Sequence, residues 1–454
     1  MSFETKHGEN LAVMSGNNLL SFSPKQFVLF LREHRIRRCH FVHDPESGAV
    51  HTSHPLLQPL ADFLRSDKRD FMQHEGLFLQ VTRQLDILQG AFVHKTVRGV
   101  GAGGLRFWHY ETVEEFLRDG LRLSKGMTRK NALAGLWWGG GKGVMADNPA
   151  VDKRDPAVRQ SIFKEYGELM SALRGCYVTA EDVGTKVPDI ANIFSQTRFA
   201  TCIPPEMGGS GNPSIPTAKG VVRAIEAAVR FVLDQPLAGR TVAVQGLGNV
   251  GGALVGFLFE QKVARVVACD IDAENIEAAR KRFAASDFEA RLVQMGDTSI
   301  LTTECDVLAP CATGAILNPR TIPEIKAPIV CGAANNQLED TERDDMLLQQ
   351  QGIVYVPDFL ANRMGIVNCA NEQYGTLEND PVIEQHLSAA WQHSVYQTTL
   401  RVLKQSRETG EAPAKVAVRL ADEMSEVAHP IFGHRGQQII DSLVARKWFR
   451  NDLV

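Results

Sequence analysis

RTVAVQGLGNVGGALVGFLFEQ, residues 240–261, is the stretch that decides the fold. Arg240 to Gln245 is a short β-rich run, Gly246, Gly248 and Gly251 follow at once, and Gly252 to Gln261 reads as a helix. A second apolar strand, Val263 to Cys269, ends in Asp270. Glycine turns between strand and helix are common, so the spacing alone is weak. With an acid at the end of the next strand, it has the layout a dinucleotide site requires. The glycines permit a tight turn and close approach of a pyrophosphate to the helix N-terminus, where free N–H groups favour anions. Gly246, Leu247, Gly248, Asn249, Val250 and Gly251 are therefore the expected cofactor contacts, with Asp270 on the ribose hydroxyls. Ile271 to Asn275 contain no Arg or Lys to meet a 2′-phosphate, which points to NAD rather than NADP.

Downstream, strands are expected at 292–295, 306–309, 328–331 and 353–356, alternating with helices as in a doubly wound sheet. The loops Cys311–Gly314 and Gly332–Gln337 either line a nicotinamide pocket or turn the chain; Ala312, Thr313, Asn335 and Asn336 are the candidates. Helical patterns begin at Pro381, at Pro413 and after Gly433. Upstream, PPEMGGSGNPSIP (204–216) marks a domain boundary and a hinge. The expected architecture is α/β: a first domain over 1–205, a Rossmann-type doubly wound sheet over 206–380, and helices over 381–454 packing back on the first domain, with a cleft between the two domains.

In the first domain, residues 1 to about 25 read as a loose arm, 38–43 as a strand, 55–72 as a helix, and 77–81 and 87–95 as strands. From Val113 apolar residues recur at helical spacing, with Arg118, Arg122, Lys125 and Arg129 forming a solvated stripe opposite. GMTRKNALAGLWWGGGKG (126–143) then sets Lys130 on the flank of that helix's buried side and Lys142 directly after three glycines. A lysine at the edge of a buried face needs a partner, and a carboxylate ligand is one. Asp155–Arg174 reads as a helix and Cys176–Thr179 as a strand running into Ala180–Thr185, where Asp182 is a turn residue or a ligand group at a strand end.

The chain has 454 residues, 49 Lys plus Arg against 53 Asp plus Glu, and a net charge of −4, which gives no electrostatic case for nucleic acid. Its eight cysteines form no CxxC pair and no metal-type cluster, as expected of reduced thiols. No signal-like start or membrane-length apolar run is present, so a cytoplasmic location and no membrane partner are expected.

In order and spacing, GGLRFW (103–108), MTRKNALAGLWWGGGKG (127–143), TAEDVGT (179–185), GSGNPSIPTAKGV (209–221), GLGNVG (246–251), APCATGAILNPRTIP (309–323), GAANNQL (332–338) and GIVNCANEQYG (365–375) resemble the glutamate/leucine/phenylalanine/valine amino-acid dehydrogenases, leucine dehydrogenase most closely. The resemblance covers roughly 76–430. It implies NAD-dependent, reversible oxidative deamination of an L-2-amino acid to its 2-oxo acid and ammonium by a homo-oligomer. Carried over, Lys130 holds the substrate carboxylate, Lys142 polarises the carbonyl and acts on water, and Asp182 shuttles the amine proton. The backbone at Gly103 and Gly104 lines the site. Two lysines in a closed cleft repel, so one loses its proton near neutral pH and serves as a base.

Ala102 stands where glutamate dehydrogenases of this family carry a lysine for the side-chain carboxylate. The resemblance implies that Ala180, Ile366 and Cys369 complete an apolar pocket with it, which would favour a branched or aromatic substrate over glutamate. A silent binding homologue and a glutamate dehydrogenase are the alternatives. The first has no chemical need for Lys130, Lys142 and Asp182 together. The segment near 50–76 has no counterpart in leucine dehydrogenase, and a subunit contact is one role for it.

Overall fold

The computed structural model describes residues 16–450. They form two compact units: the first takes in the residues through Thr128, Trp138–Ala200 and those from Ala428, the second Arg129–Trp137 and Thr201–Val427.

The first unit is built on a mixed sheet of β1 (Arg38–His43), β2 (Val50–Thr52), β3 (Gly76–Val81), β4 (Leu88–Lys95), β5 (Gly101–Trp108), β6 (Gly139–Ala146) and β7 (Tyr177–Glu181), in the order β2-β1-β3-β4-β6-β5-β7. Pairings from β2 to β6 are antiparallel, and β5 pairs parallel with both β6 and β7. The run Gly139–Gly141 is thus an extended part of a buried inner strand, and GGLRF lies in the strand beside it. Glycine is normally unfavourable in a strand, and here it marks close approach. A Cβ on Gly140 would overlap the Thr128 hydroxyl and the Ser124 carbonyl of the helix Val113–Leu133; one on Gly103 would overlap the Gly141 carbonyl.

That helix buries Val113, Phe116, Leu117, Leu121 and Ser124 at the expected spacing. Its basic stripe is not simply solvated. Arg118 donates to Glu114, one turn back on the same helix, at 2.8 Å, and chain distant in sequence brings Asp70 to Arg118 at 2.7 Å and Asp422 to Arg129 at 2.8 Å.

The helix expected over 55–72 is a 3-10 turn, Pro55–Leu57, followed by Gln58–Ser66. Asp67 stops it by accepting the backbone N–H groups of Arg69, Asp70 and Phe71. Leu57, Leu60, Ala61 and Leu64 join the core under β1 and β3, so the unmatched segment is an integral layer of this unit. The expected arm ends in a helix, Pro24–Glu33, with a Ser23/Gln26 capping box; its residues 1–15 lie outside the described residues.

The second unit holds six parallel strands: β8 (Thr241–Gln245), β9 (Arg265–Asp270), β10 (Phe288–Leu292), β11 (Val307–Pro310), β12 (Ile329–Val330) and β13 (Val354–Tyr355). Their order, β10-β9-β8-β11-β12-β13, reverses between β8 and β11, which makes the carboxyl ends of those two strands the topological switch point. The strand expected over 292–295 lies at 288–292 instead. Leu292 and Met295 are exposed, and it is Ala290 that turns into the core. An apolar run was mistaken for a strand whose own alternation is half polar.

Helix Val395–Thr409 buries Val402 and Leu403 in the same core as Val221, Ala224 and Ala228 of Ser214–Leu233. The chain therefore stays in the second unit to Val427, and the return expected from 381 begins at Ala428. Among the described residues no helix is long and apolar enough to cross a membrane.

Candidate active site

In the first unit Lys142, on β6, is 4% exposed, and its Nζ lies 2.8 Å from Asp182 Oδ2. The turn after β7 delivers that carboxylate. The Thr185 hydroxyl accepts the Asp182 N–H at 2.9 Å, the Val183 carbonyl accepts from Phe107 N at 2.9 Å, and Gly184 takes φ +84°, where a side chain would overlap the Phe107 carbonyl. Gly104 faces Ala180 in the parallel β5–β7 register, and a Cβ on it would come within 2.7 Å of the Asp182 Cβ. The bare strand lets Asp182 settle against the sheet. Ala102 is buried between Gly140 and Val178 in register, and the Gly103 carbonyl accepts from Tyr177 Oη at 2.7 Å.

Behind Asp182 stands a second cation. Arg106 Nε donates to Asp182 Oδ2 at 3.4 Å, while its Nη1 reaches Asp119 at 3.1 and 3.3 Å; Asp119 also accepts from Tyr110 Oη at 2.7 Å. Burial acts to raise the Asp182 pKa, but the charges of Lys142 and Arg106 and the Lys142 hydrogen bond outweigh it and hold the carboxyl below its usual value. Burial alone would lower the Arg106 pKa, and Asp182 and Asp119 reverse that and raise it. Sequence reasoning assigned no role to Arg106 and Asp119. Arg106 was in plain view within GGLRF, and Asp119 interrupts an otherwise basic helix flank. The Lys142 ammonium thus meets a carboxylate in this unit. The pair can pass a proton between a nitrogen and an oxygen already in hydrogen-bond contact.

In the second unit Gly246 has φ +93° and donates its N–H to the Cys269 carbonyl at 2.8 Å, and a Cβ on Gly251 would overlap the Gly246 carbonyl. Those two glycines are therefore obligatory for the turn. Gly248 has nothing within 4 Å of its virtual Cβ and caps the helix Asn249–Glu260, leaving an open cradle at a helix N-terminus. Asp270 accepts from Leu247 N at 2.6 Å and from Asn275 Nδ2 at 3.4 Å, so it braces the glycine loop from the end of β9. Ala312 lies against Gly246, and Gly314 against the carbonyls of Asn335 and Asn336; Thr313, Asn335 and Asn336 are exposed. These loops follow β11 and β12, so the expected nucleotide residues gather at the switch point, and the open cradle fits a dinucleotide.

Lys130, in the last turn of Val113–Leu133, belongs with this second unit, where its charge acts on Asp358. Burial raises the Asp358 pKa, against hydrogen bonds from the backbone of Phe359, Gln337 and Asn336 and the Lys130 charge. Asn362 likewise donates to the Ala333 carbonyl at 3.0 Å and to Asn335 Oδ1 at 2.7 Å. Neither Asp358 nor Asn362 was singled out from sequence. Ile366 and Cys369 lie buried on the helix Met364–Glu372, Cys369 against Cys202.

Residues 80–199 match the family profile "Glu/Leu/Phe/Val dehydrogenase, dimerisation domain" and residues 208–429 the profile "Glutamate/Leucine/Phenylalanine/Valine dehydrogenase". The chain is 41% identical over 335 residues to leucine dehydrogenase of Bacillus subtilis, covering 74% of this chain and 86% of that protein. It is 35% identical to valine dehydrogenase of Streptomyces coelicolor, covering 79% and 93%. Among solved structures, L-tryptophan dehydrogenase from Nostoc punctiforme superposes with a TM-score of 0.63 at 32% identity over 78% of this chain and 96% of that one. With both profiles matched in order, on units that carry the lysine–aspartate pair and the glycine cradle, the chain belongs to the Glu/Leu/Phe/Val dehydrogenase family.

Proposed function

We propose that the protein catalyses NAD-dependent, reversible oxidative deamination of a branched-chain or aromatic L-2-amino acid. The observation that carries this reading is the 2.8 Å contact between Lys142 and Asp182, braced by Arg106. When bound, a nicotinamide cofactor would supply the acceptor for the hydride leaving the substrate α-carbon. Asp182 takes the proton that the substrate ammonium must lose before that transfer. Lys142 steadies the polarised carbon–nitrogen and later carbon–oxygen bond and orients the water that attacks the α-carbon, and Asp182 returns a proton to the departing ammonia. Lys130 pairs with the substrate carboxylate in place of the Asp358 charge it senses in the structure. Asp270, with no neighbouring cation in Ile271–Asn275, favours the free ribose of NAD.

The substrate class rests on Ala102, Ala180, Ile366 and Cys369, which offer no cation to a second carboxylate. Formation of NADH from a panel of L-amino acids, with Lys142→Ala as control, tests the whole assignment. Turnover of leucine, valine, phenylalanine or tryptophan that K142A abolishes supports it. Turnover of glutamate alone would refute the substrate class, and NAD binding without turnover of any amino acid would refute the activity.

A further inference from the structure

Two cysteines in the second unit stand closer than unbonded sulfur atoms ordinarily pack. Cys202 Sγ and Cys369 Sγ are 2.7 Å apart, against about 2.05 Å for a disulfide bond. Both are free thiols, 1% and 3% exposed, and 167 residues apart in sequence. Their backbones are fixed independently of the sulfurs. Thr201 Oγ1 donates to the Cys369 carbonyl at 2.7 Å. On the next turn of the same helix Glu372 accepts from Cys202 N at 3.0 Å, Ile203 N at 3.4 Å and Ser210 N at 2.8 Å. Cys202 is held at φ +63°, a left-handed conformation that a residue other than glycine adopts only when its surroundings impose it.

We infer that Cys202 and Cys369 form a modification site: a dithiol that a peroxide converts to an intramolecular disulfide, tying the segment after Ala200 to the helix Met364–Glu372. One sulfur, as thiolate, attacks a peroxide oxygen; the O–O bond breaks, and the sulfur becomes a sulfenic acid as an alcohol or water leaves. The second sulfur attacks the first, the S–S bond forms, and the sulfenic oxygen departs as water with the remaining thiol proton. Two thiols and one hydroperoxide give one disulfide, one alcohol and one water, the two sulfurs losing the two electrons that the peroxide gains. Burial shapes the kinetics: a small peroxide gains entry where a bulky thiol reagent does not, and the product is shielded from reductants. Cross-linking positions this far apart restricts the unfolded chain, so the oxidised protein unfolds at higher temperature.

The proposal is independent of the assigned reaction, since its readout is mass and thermal stability. Folded, fully reduced protein is treated with hydrogen peroxide, quenched, denatured, alkylated and mapped by peptide mass spectrometry, with and without dithiothreitol. The expected result is one linked pair of peptides containing Cys202 and Cys369, lighter by two hydrogens than their sum and released by dithiothreitol, together with a raised Tm. Cys202→Ser and Cys369→Ser should each abolish both. The wild-type map decides the question even where a variant folds poorly. Alkylation of both cysteines after peroxide as complete as before it, their separate conversion to sulfinic acids, or linkage to any of the other six cysteines would overturn the proposal.

Discussion

In the first unit the glycines of β5 and β6 are extended residues inside a sheet, whereas in the second unit Gly246, Gly248 and Gly251 form a turn at the end of one. The missing side chains serve different ends. In the sheet they let strand, helix and the Asp182 turn crowd together, so that the buried Lys142 meets a carboxylate. In the turn, Gly246 and Gly251 satisfy the backbone, while the bare Cα of Gly248 leaves room for something outside the protein. Glycine clustering thus marks close approach by protein in the first unit, and in the second a tight turn with open space at a helix N-terminus.

The contrast is most exposed to Gly103→Ala. The added methyl would overlap the Gly141 carbonyl, a backbone atom that cannot step aside, so the variant should lose at least about 3 kcal/mol of unfolding free energy. An unchanged denaturation midpoint would break the account of β5 and β6. Gly248→Ala should do the reverse. With no neighbour in reach, the protein should stay within about 1 kcal/mol of wild-type stability, while Kd for NAD, followed by calorimetry, rises about tenfold.

Removing the cation behind Asp182 should have a smaller effect. Arg106→Gln lets the Asp182 pKa rise towards its ordinary value, so the acid limb of the kcat/KM profile should move up by about one pH unit or less. A profile that keeps its shape would separate Arg106 from the chemistry.

The two units should also answer acid differently. The Asp182 carboxyl is held below its unfolded value, so its contribution to stability is complete above about pH 4 and is lost as pH falls through the folded value. Asp345, in the second unit, is pushed by burial up to about 6, against hydrogen bonds from Ala414 N and Lys415 N. Its sign is opposite: that contribution is fully present below the unfolded pKa, about 4, and is lost as pH rises through about 6. Wild-type Tm should therefore carry a rise between pH 7 and 5 that Asp345→Asn lacks, an effect of a few degrees at most.

What the sequence made legible follows from the same contrast. The turn glycines announced themselves because a strand, a fixed spacing, a helix and Asp270 stood in a row, all local signals. Lys142, after three glycines, and Asp182, at a strand end, stood out locally; the resemblance implied their roles, and only the structure gives their contact, since nothing local says that residues 142 and 182 meet across β5. β5 and β6 were not recognised as strands because glycine carries neither β-propensity nor an apolar alternation. Arg106, Asp119, Asp358 and Asn362 act by long-range pairing that no spacing encodes. The strand misplaced at 292–295 has the converse cause, an apolar run that faces outwards.

A double-mutant cycle on kcat/KM for L-leucine, comparing wild type with Lys142→Ala, Asp182→Asn and the combination, tests most directly whether the ammonium and carboxylate work as one unit. Each single change should lower kcat/KM by about 10²–10⁴-fold, with NAD binding retained and the protein still folded at the assay temperature. The double variant should fall no further than the worse of the two. Losses that multiply, or a Lys142→Ala protein that keeps wild-type turnover, would contradict the account.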